Sequence, residues 1–231
     1  MKAVLVTGSS RGLGLEWVRQ YAQAGWRVYA SCRDPGQATQ LTELAGRHAA
    51  ISLHRLDVCD NDQLQELKRE LGAARLDVLV NNAGVYLDKF TGEFGRIDYE
   101  GWLQSFAVNC LGAMRVSEAF IDQLAASEKR LVVAITSHMG SIAEISAPGN
   151  YAYRSSKAAL NAAMKGLSAA LRERGIGVLL LHPGWVRTRM GGPDAPLGVE
   201  QSVAGMRRLV EDFGPQMNGR FFRYNGTEIP W

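Results

Sequence analysis

Between positions 137 and 161 the chain reads SHMGSIAEISAPGNYAYRSSKAALN, which gathers a hydroxyl, a phenol and an ammonium into one short stretch. Tyr153 and Lys157 stand at i and i+4, so on a helix they share a face. A free phenol, with a pKa of about 10, is a poor acid or base at neutral pH, and a neighbouring ammonium lowers that value by stabilising the phenolate. Ser137 is suited to donate a hydrogen bond to a carbonyl oxygen where negative charge grows, while Tyr153 delivers the proton. Taken alone, a Tyr and a Lys on one helix face equally describe an amphipathic surface pair. Tyr151 is a rival for the phenol, but its i+4 partner is Ser155, which carries no charge. Ser141 is a rival for the hydroxyl, but it lies deeper in the loop, whereas Ser137 directly follows the run LVVAIT, and element ends hold side chains better than loops do.

A partner for such proton chemistry is indicated at the N-terminus. The apolar run KAVLV leads into Thr7-Gly8-Ser9-Ser10-Arg11-Gly12-Leu13-Gly14 and then the helix-like LEWVRQYAQA. Glycines where a strand becomes a helix permit a tight turn and close backbone approach to a pyrophosphate, and the helix start supplies free N–H groups. Gly8, Ser10, Arg11, Gly12, Leu13 and Gly14 are therefore candidate dinucleotide ligands, although G-x-x-x-G-x-G departs from the usual G-x-G-x-x-G. The second strand ends at Ser31-Cys32-Arg33-Asp34. A guanidinium at Arg33, with Arg11 opposite, suits a 2′-phosphate and so NADP(H) over NAD. The competing reading makes Asp34 the ribose ligand and Arg33 a solvated charge, but Asp-Pro-Gly is also a turn. Asp57-Val58 and Asn81-Asn82-Ala83-Gly84 follow the third and fourth strands and open onto the same crevice. Asp57 is placed for an adenine amine, or else caps the helix starting near Asn61.

The elements that must position these groups follow from the apolar pattern. Runs at 2–6, 27–32, 51–56, 76–80, 131–135 and 176–181 are mostly continuous, as in strands buried on both faces, and a seventh strand is expected near 219–223. Helical periodicity at 13–24, 61–71, 101–125, 152–173 and 199–211 completes a β-α-β-α order. The expectation is one α/β domain over residues 1–231: a doubly wound Rossmann fold with a mostly parallel sheet of about seven strands and helices on both faces. Residues 188–198, TRMGGPDAPLG, are a breaker cluster and thus a loop at the ligand-binding edge. Met139, Trp185 and Met190 suggest apolar pocket walls, or else pack internally.

Bulk properties narrow the function classes. The 231 residues are 46% hydrophobic and 21% charged, with a net charge of +3 spread along the chain, which argues against nucleic acid as a partner. No stretch is long enough to span a membrane, and Cys32, Cys59 and Cys110 lie far apart without metal or disulfide spacing. A cytoplasmic protein with no metal site is expected.

Together, T-G-x-x-x-G-x-G at 7–14, N-N-A-G at 81–84, Asn109, Ser137, Y-x-x-x-K at 153–157 and P-G-x-V-x-T at 183–188 closely resemble the short-chain dehydrogenase/reductase family. YAYRSSKAALN, HPGWVRTRMGG and NGTEIPW are similar to its branch of C-factor and sniffer-type carbonyl reductases. The resemblance implies a tetrad of Asn109, Ser137, Tyr153 and Lys157, in which Asn109 helps hold a water that links Lys157 to solvent. It also implies that Lys157 binds the nicotinamide ribose, and that Pro183, Gly184, Val186 and Thr188 contact the nicotinamide end. A homodimer or homotetramer built partly from helices 101–125 and 152–173 is implied as well, unless their apolar faces are spent on the sheet. The function implied is reduction of a small carbonyl compound to an alcohol, with a C-factor-type binding or signalling role as the alternative.

Overall fold

The structure, a computed structural model, describes residues 1–89 and 94–231. Its strands are β1 (Ala3–Thr7), β2 (Arg27–Cys32), β3 (Ile51–Arg55), β4 (Val78–Asn81), β5 (Leu131–Ile135), β6 (Gly177–His182) and β7 (Arg220–Arg223). They form one seven-stranded sheet in the order β3-β2-β1-β4-β5-β6-β7, and every pairing is parallel. The doubly wound α/β sheet expected from the sequence is what forms.

Continuous apolar strands arise because both faces are covered. On one face Leu5, Leu79, Val132 and Leu180 meet Leu64, Val116, Phe120 and Leu160. On the other Val4, Val6, Val80 and Val133 meet Trp17, Val18, Leu41 and Met206. Successive residues of a strand point to opposite faces, which is why Leu5 and Val6 serve different cores. The covering helices include α1 (Gly12–Gln23), α2 (Thr39–Arg47) and α3 (Asn61–Leu71). Of these α2 was not expected, since it is short, contains Gly46 and fully buries only Leu41, which leaves little periodic signal.

The segment expected as one helix over 101–125 is broken. It runs as α4 (Tyr99–Phe106), a π-helical turn (Ala107–Gly112), α5 (Ala113–Ala119) and α6 (Ile121–Ala125). Side-chain ties to Asn109 and tight packing hold the wide turn, for a Cβ on Gly112 would stand 2.6 Å from Cγ2 of Val58. Single π turns inside helices often mark functional sites. The remaining long helices are α7 (Tyr151–Ala170) and α8 (Val199–Glu211). No helix among the described residues is long and apolar enough to cross a membrane.

The chain goes outward from β1 to β3 and returns to the other side of β1 as β4. A crevice opens at such a reversal, outside the carboxyl ends of the strands.

Candidate active site

At that reversal the glycine turn touches the end of β4. Gly8 has φ +67°, and a Cβ on it would lie 2.9 Å from Cα of Ala83. A Cβ on Gly14 would lie 2.1 Å from the Gly8 carbonyl oxygen, so only glycine lets α1 begin this close to the strand. Asn82 fastens the junction: its side-chain amide donates to the carbonyls of Thr7 (2.9 Å) and Gly8 (3.1 Å), while Thr7 Oγ1 accepts from the backbone of Asn82 and Ala83. Its neighbour Asn81 turns inward and donates to Ser117 Oγ at 2.9 Å, so that side chain serves α5 rather than the crevice. Gly12 faces Thr188, whose Cγ2 would be 3.4 Å from an added Cβ, so the 183–188 segment arches over the turn.

Arg11 and Arg33 are both exposed beside this turn. Asp34 is committed elsewhere, accepting from the Gln37 amide at 3.3 Å and capping the 3₁₀ turn Pro35–Gln37. Asp57 is not the cap of α3, a task taken by Asp60. Its Oδ1 accepts from the Cys59 amide at 2.9 Å. Cys59 is pushed up mainly by burial and by Asp57, while Arg115 of α5 and Arg33 pull it back, which places all three charges around one thiol. Val58 is buried against the π turn.

The catalytic candidates converge where β5 meets α7. Ser137 lies two residues beyond the end of β5, at the start of the 3₁₀ turn His138–Gly140, and is buried, and its Oγ accepts from the Met139 amide at 3.2 Å. Thr136 and the Gly140 carbonyl are tied to α7 through Asn161, at 2.6 and 3.2 Å. Lys157 is buried and donates to the Ile135 carbonyl at 2.9 Å, with its Nζ 5.9 Å from the Tyr153 ring centroid. Asn109, in the π turn, exchanges hydrogen bonds with both backbone groups of Val85 (2.8 and 2.9 Å) and donates to Ser156 Oγ. Gly84 lies between them, for its absent Cβ would be 3.2 Å from Asn109 Oδ1 and 3.6 Å from Lys157 Nζ. Tyr151 instead stacks on Trp102, on the outer side of α7.

Burial weighs on the charge of both groups. Tyr153 is pushed up to about 12, chiefly by desolvation, with Ser137 hydrogen-bonding to hold it down and Tyr86 and Asp88 raising it. Lys157 is itself drawn down to about 8 by burial. A low-polarity surrounding disfavours both charged forms at once.

The segment after Gly84, the turn after Ser137 and the 188–198 loop meet at one mouth. Tyr86 donates to Asn150 Oδ1 at 2.7 Å and approaches Met139 Sδ at 3.9 Å. Lys89 Nζ donates to the Met190 carbonyl at 2.8 Å, spanning the mouth between the segment after Gly84 and the 188–198 loop. Trp185 and Met190 are exposed rather than packed inside. Pro183 accepts from Ser202 Oγ at 2.6 Å, Gly184 takes φ +87°, and Val186 is buried and bridges to Leu197, which fixes this segment above the sheet edge. Tyr86, Asp88, Arg115, Ser156 and Asn161 carried no signal in the sequence. Asn82 was visible inside N-N-A-G, but its role of fastening the glycine turn was not.

The short chain dehydrogenase family pattern matches residues 2–196. C-signal of Myxococcus xanthus is 47% identical over 156 residues, covering 68% of this chain and 93% of that protein. The carbonyl reductase Sniffer of D. melanogaster superposes with a TM-score of 0.93 at 31% identity, over 100% of both chains. The NADPH-bound carbonyl reductase from chicken fatty liver does so with 0.90 at 30% identity, over 100% of this chain and 99% of that one. The chain belongs to the short-chain dehydrogenase family, in the branch of C-signal and the Sniffer-type carbonyl reductases.

Proposed function

We propose that the chain is an NADP(H)-dependent carbonyl reductase. The observation that carries this is the cluster of Ser137, Tyr153 and Lys157 beside a glycine turn whose packing admits only glycine. Those residues fit a dinucleotide: Gly8 and Gly14 keep the pyrophosphate's approach clear, the start of α1 offers free amides, and Arg11 and Arg33 suit a 2′-phosphate while Asp34 is used by its own turn. Relatives in complex with NADPH or NADP point the same way.

When bound, the nicotinamide supplies the hydride that adds to the carbonyl carbon. Ser137 donates to the substrate oxygen and holds it beside the phenol. Tyr153, whose phenol burial pushes up, gives its proton to that oxygen as the C=O bond becomes C–O, so ketone, NADPH and one proton become alcohol and NADP⁺. Lys157 stabilises the phenolate left behind and is positioned for the ribose, and Asn109 helps hold a water that returns the proton. Pro183, Gly184, Val186 and Thr188 would flank the nicotinamide end, with Leu13, Ser10, Gly12, Ala83, Gly84, Asp57 and Val58 along the rest.

The 47% identity to C-signal favours a second reading, in which cofactor occupancy alters a partner contact and turnover is incidental. Assaying Tyr153→Phe for NADPH oxidation with a panel of carbonyl compounds, alongside the biological effect, separates the two. Abolished turnover with the effect lost supports the reductase, and abolished turnover with the effect kept supports the sensor. Retained turnover would overturn the mechanism.

We also place the chain in the cytoplasm as a homodimer or homotetramer. Trp102 of α4 and Tyr151 and Ala158 of α7 line a cleft of about 360 Å³ with Ile142 and Ile145, and Tyr99 and Leu103 of α4 are exposed, so α4 and α7 do not spend their apolar surface on the sheet alone. Sedimentation of the wild type against Leu103→Glu tests that face.

A further inference from the structure

The helix that presents Tyr153 begins without a local cap. Asn150 occupies the N-cap position in the left-handed region (φ 56°, ψ 35°), and its side chain makes no bond to the helix. The first amides of a helix have no partner within it and need an outside acceptor. Here the acceptor comes from 64 residues upstream: the nearly buried carboxylate of Asp88 accepts from the Ala152 amide at 2.8 Å and from the Tyr153 amide at 3.2 Å. A negative group at a helix start is also favoured by the helix dipole. Two residues before Asp88, Tyr86 lies flat on Tyr153, with ring centroids 4.1 Å apart and planes 18° from parallel. Its hydroxyl donates to Asn150, the residue that opens the helix. One short segment thus holds the backbone, the ring face and the capping residue of the Tyr153 site.

We infer that Tyr86 and Asp88 are positioning residues for the proton donor: the segment after Gly84 sets where the Tyr153 phenol stands against Ser137. The inference rests on Tyr153 being that donor. Tyr86 has a second task, since its ring and Met139 form the apolar wall next to the phenol, which suits a substrate with a flat or apolar group beside its carbonyl. The groups facing the phenol are Ser137 from the turn after β5, Lys157 from the same helix, and Tyr86 and Asp88 from the segment after β4. Of these, Asp88 and Tyr86 both act to keep it protonated.

The test uses the full chain with NADPH and para-nitrobenzaldehyde as probe, comparing Asp88→Asn, Tyr86→Phe and Tyr86→Leu. Misplacing a reacting group by about 1 Å costs up to about a hundredfold. Asp88→Asn is expected to lower kcat about tenfold or more with KM changed less than threefold, and to move the alkaline limb of the profile to lower pH, because a negative charge near the phenol is gone. Tyr86→Phe, which keeps the stack but releases Asn150, is expected to lower kcat about threefold, and Tyr86→Leu, which loses both, about tenfold. Ultraviolet titration of the tyrosinate, with Tyr153→Phe as blank, reads the same downward shift in Asp88→Asn without turnover. A folded Asp88→Asn protein with an unmoved titration and an unmoved pH profile overturns the inference, as does a Tyr86→Leu protein with wild-type kcat. Turnover surviving in Tyr153→Phe would instead overturn the donor assignment itself.

Discussion

Gly140 is pressed against Lys157: a Cβ added to it would stand 2.8 Å from the Lys157 carbonyl carbon and 2.9 Å from its Cβ. The turn that follows Ser137 therefore lies flush on the helix that carries Tyr153 and Lys157. Gly140→Ala has to separate them by several tenths of an ångström. The expected outcome is a loss of about 1–3 kcal/mol in stability, as for overpacked sites, with kcat falling more than KM rises. Urea unfolding and steady-state kinetics check it, and an unchanged kcat would show that the fit of turn to helix does not govern Ser137.

Lys157 trades stability for its place in the site. Burial lowers it from 10.5 to about 8, so the folded state binds fewer protons than the unfolded one between those values, and stability rises as pH increases across that window. Below about 8 the cost of the buried ammonium is constant. Lys157→Met is expected to be more stable than wild type at pH 7 by on the order of 2 kcal/mol, to lose that advantage as pH approaches 10.5, and to lose turnover by about a hundredfold or more. Unfolding midpoints across pH 7 to 10 test the first part.

Arg33 and Arg11 are the exposed cations at the end of β2 and in the glycine turn. Arg33→Ala is expected to weaken NADPH about tenfold or more while changing NADH less than twofold to threefold, the worth of a charge-assisted contact. Fluorescence titration with both cofactors measures it. Equal losses would return the ribose to Asp34.

His182 is held neutral far into the acid range. Burial, then His138 and Arg223, draw it from 6.5 to about 3, and its Nε2 lies 3.1 Å from His138 Nδ1. The unfolded chain binds a proton here that the folded chain refuses, so stability is lost as pH falls below about 6.5 toward 3. His182→Gln is expected to flatten that acid limb. Unfolding curves at pH 7, 5 and 4 decide, and an equally steep limb in the variant would assign the acid sensitivity to other groups.

Strand positions and the glycine turn were legible because both depend on local patterns, continuous apolar runs and a breaker cluster between strand and helix. The boundaries moved by only one or two residues, with β4 starting at Val78 instead of 76. The i+4 spacing of Tyr153 and Lys157 was readable for the same reason. What stayed hidden was long-range. Asp88 resembles any loop acid until α7 is folded beside it, and Ser156 or Asn161 resemble ordinary helix polars until Asn109 and Thr136 reach them. The helix break at 107–112 was invisible because its residues, AVNCLG, carry no proline and follow the apolar period, so the ties that hold it open lie outside the segment.

The wide turn at Ala107–Gly112 has a further consequence for how this sequence tolerates change in length. It lets α4 lean on α7 while α5, downstream, leans on α3. Each residue advances a helix by about a third of a turn. A wide turn takes up about one residue more than an α turn, so a single-codon deletion there would give a regular helix whose later residues keep their facing, while Asn109 would leave its place against Val85 and Ser156. Length at this point is thereby tied to the site more than to the core: one residue fewer spares the packing downstream and costs Asn109 its position.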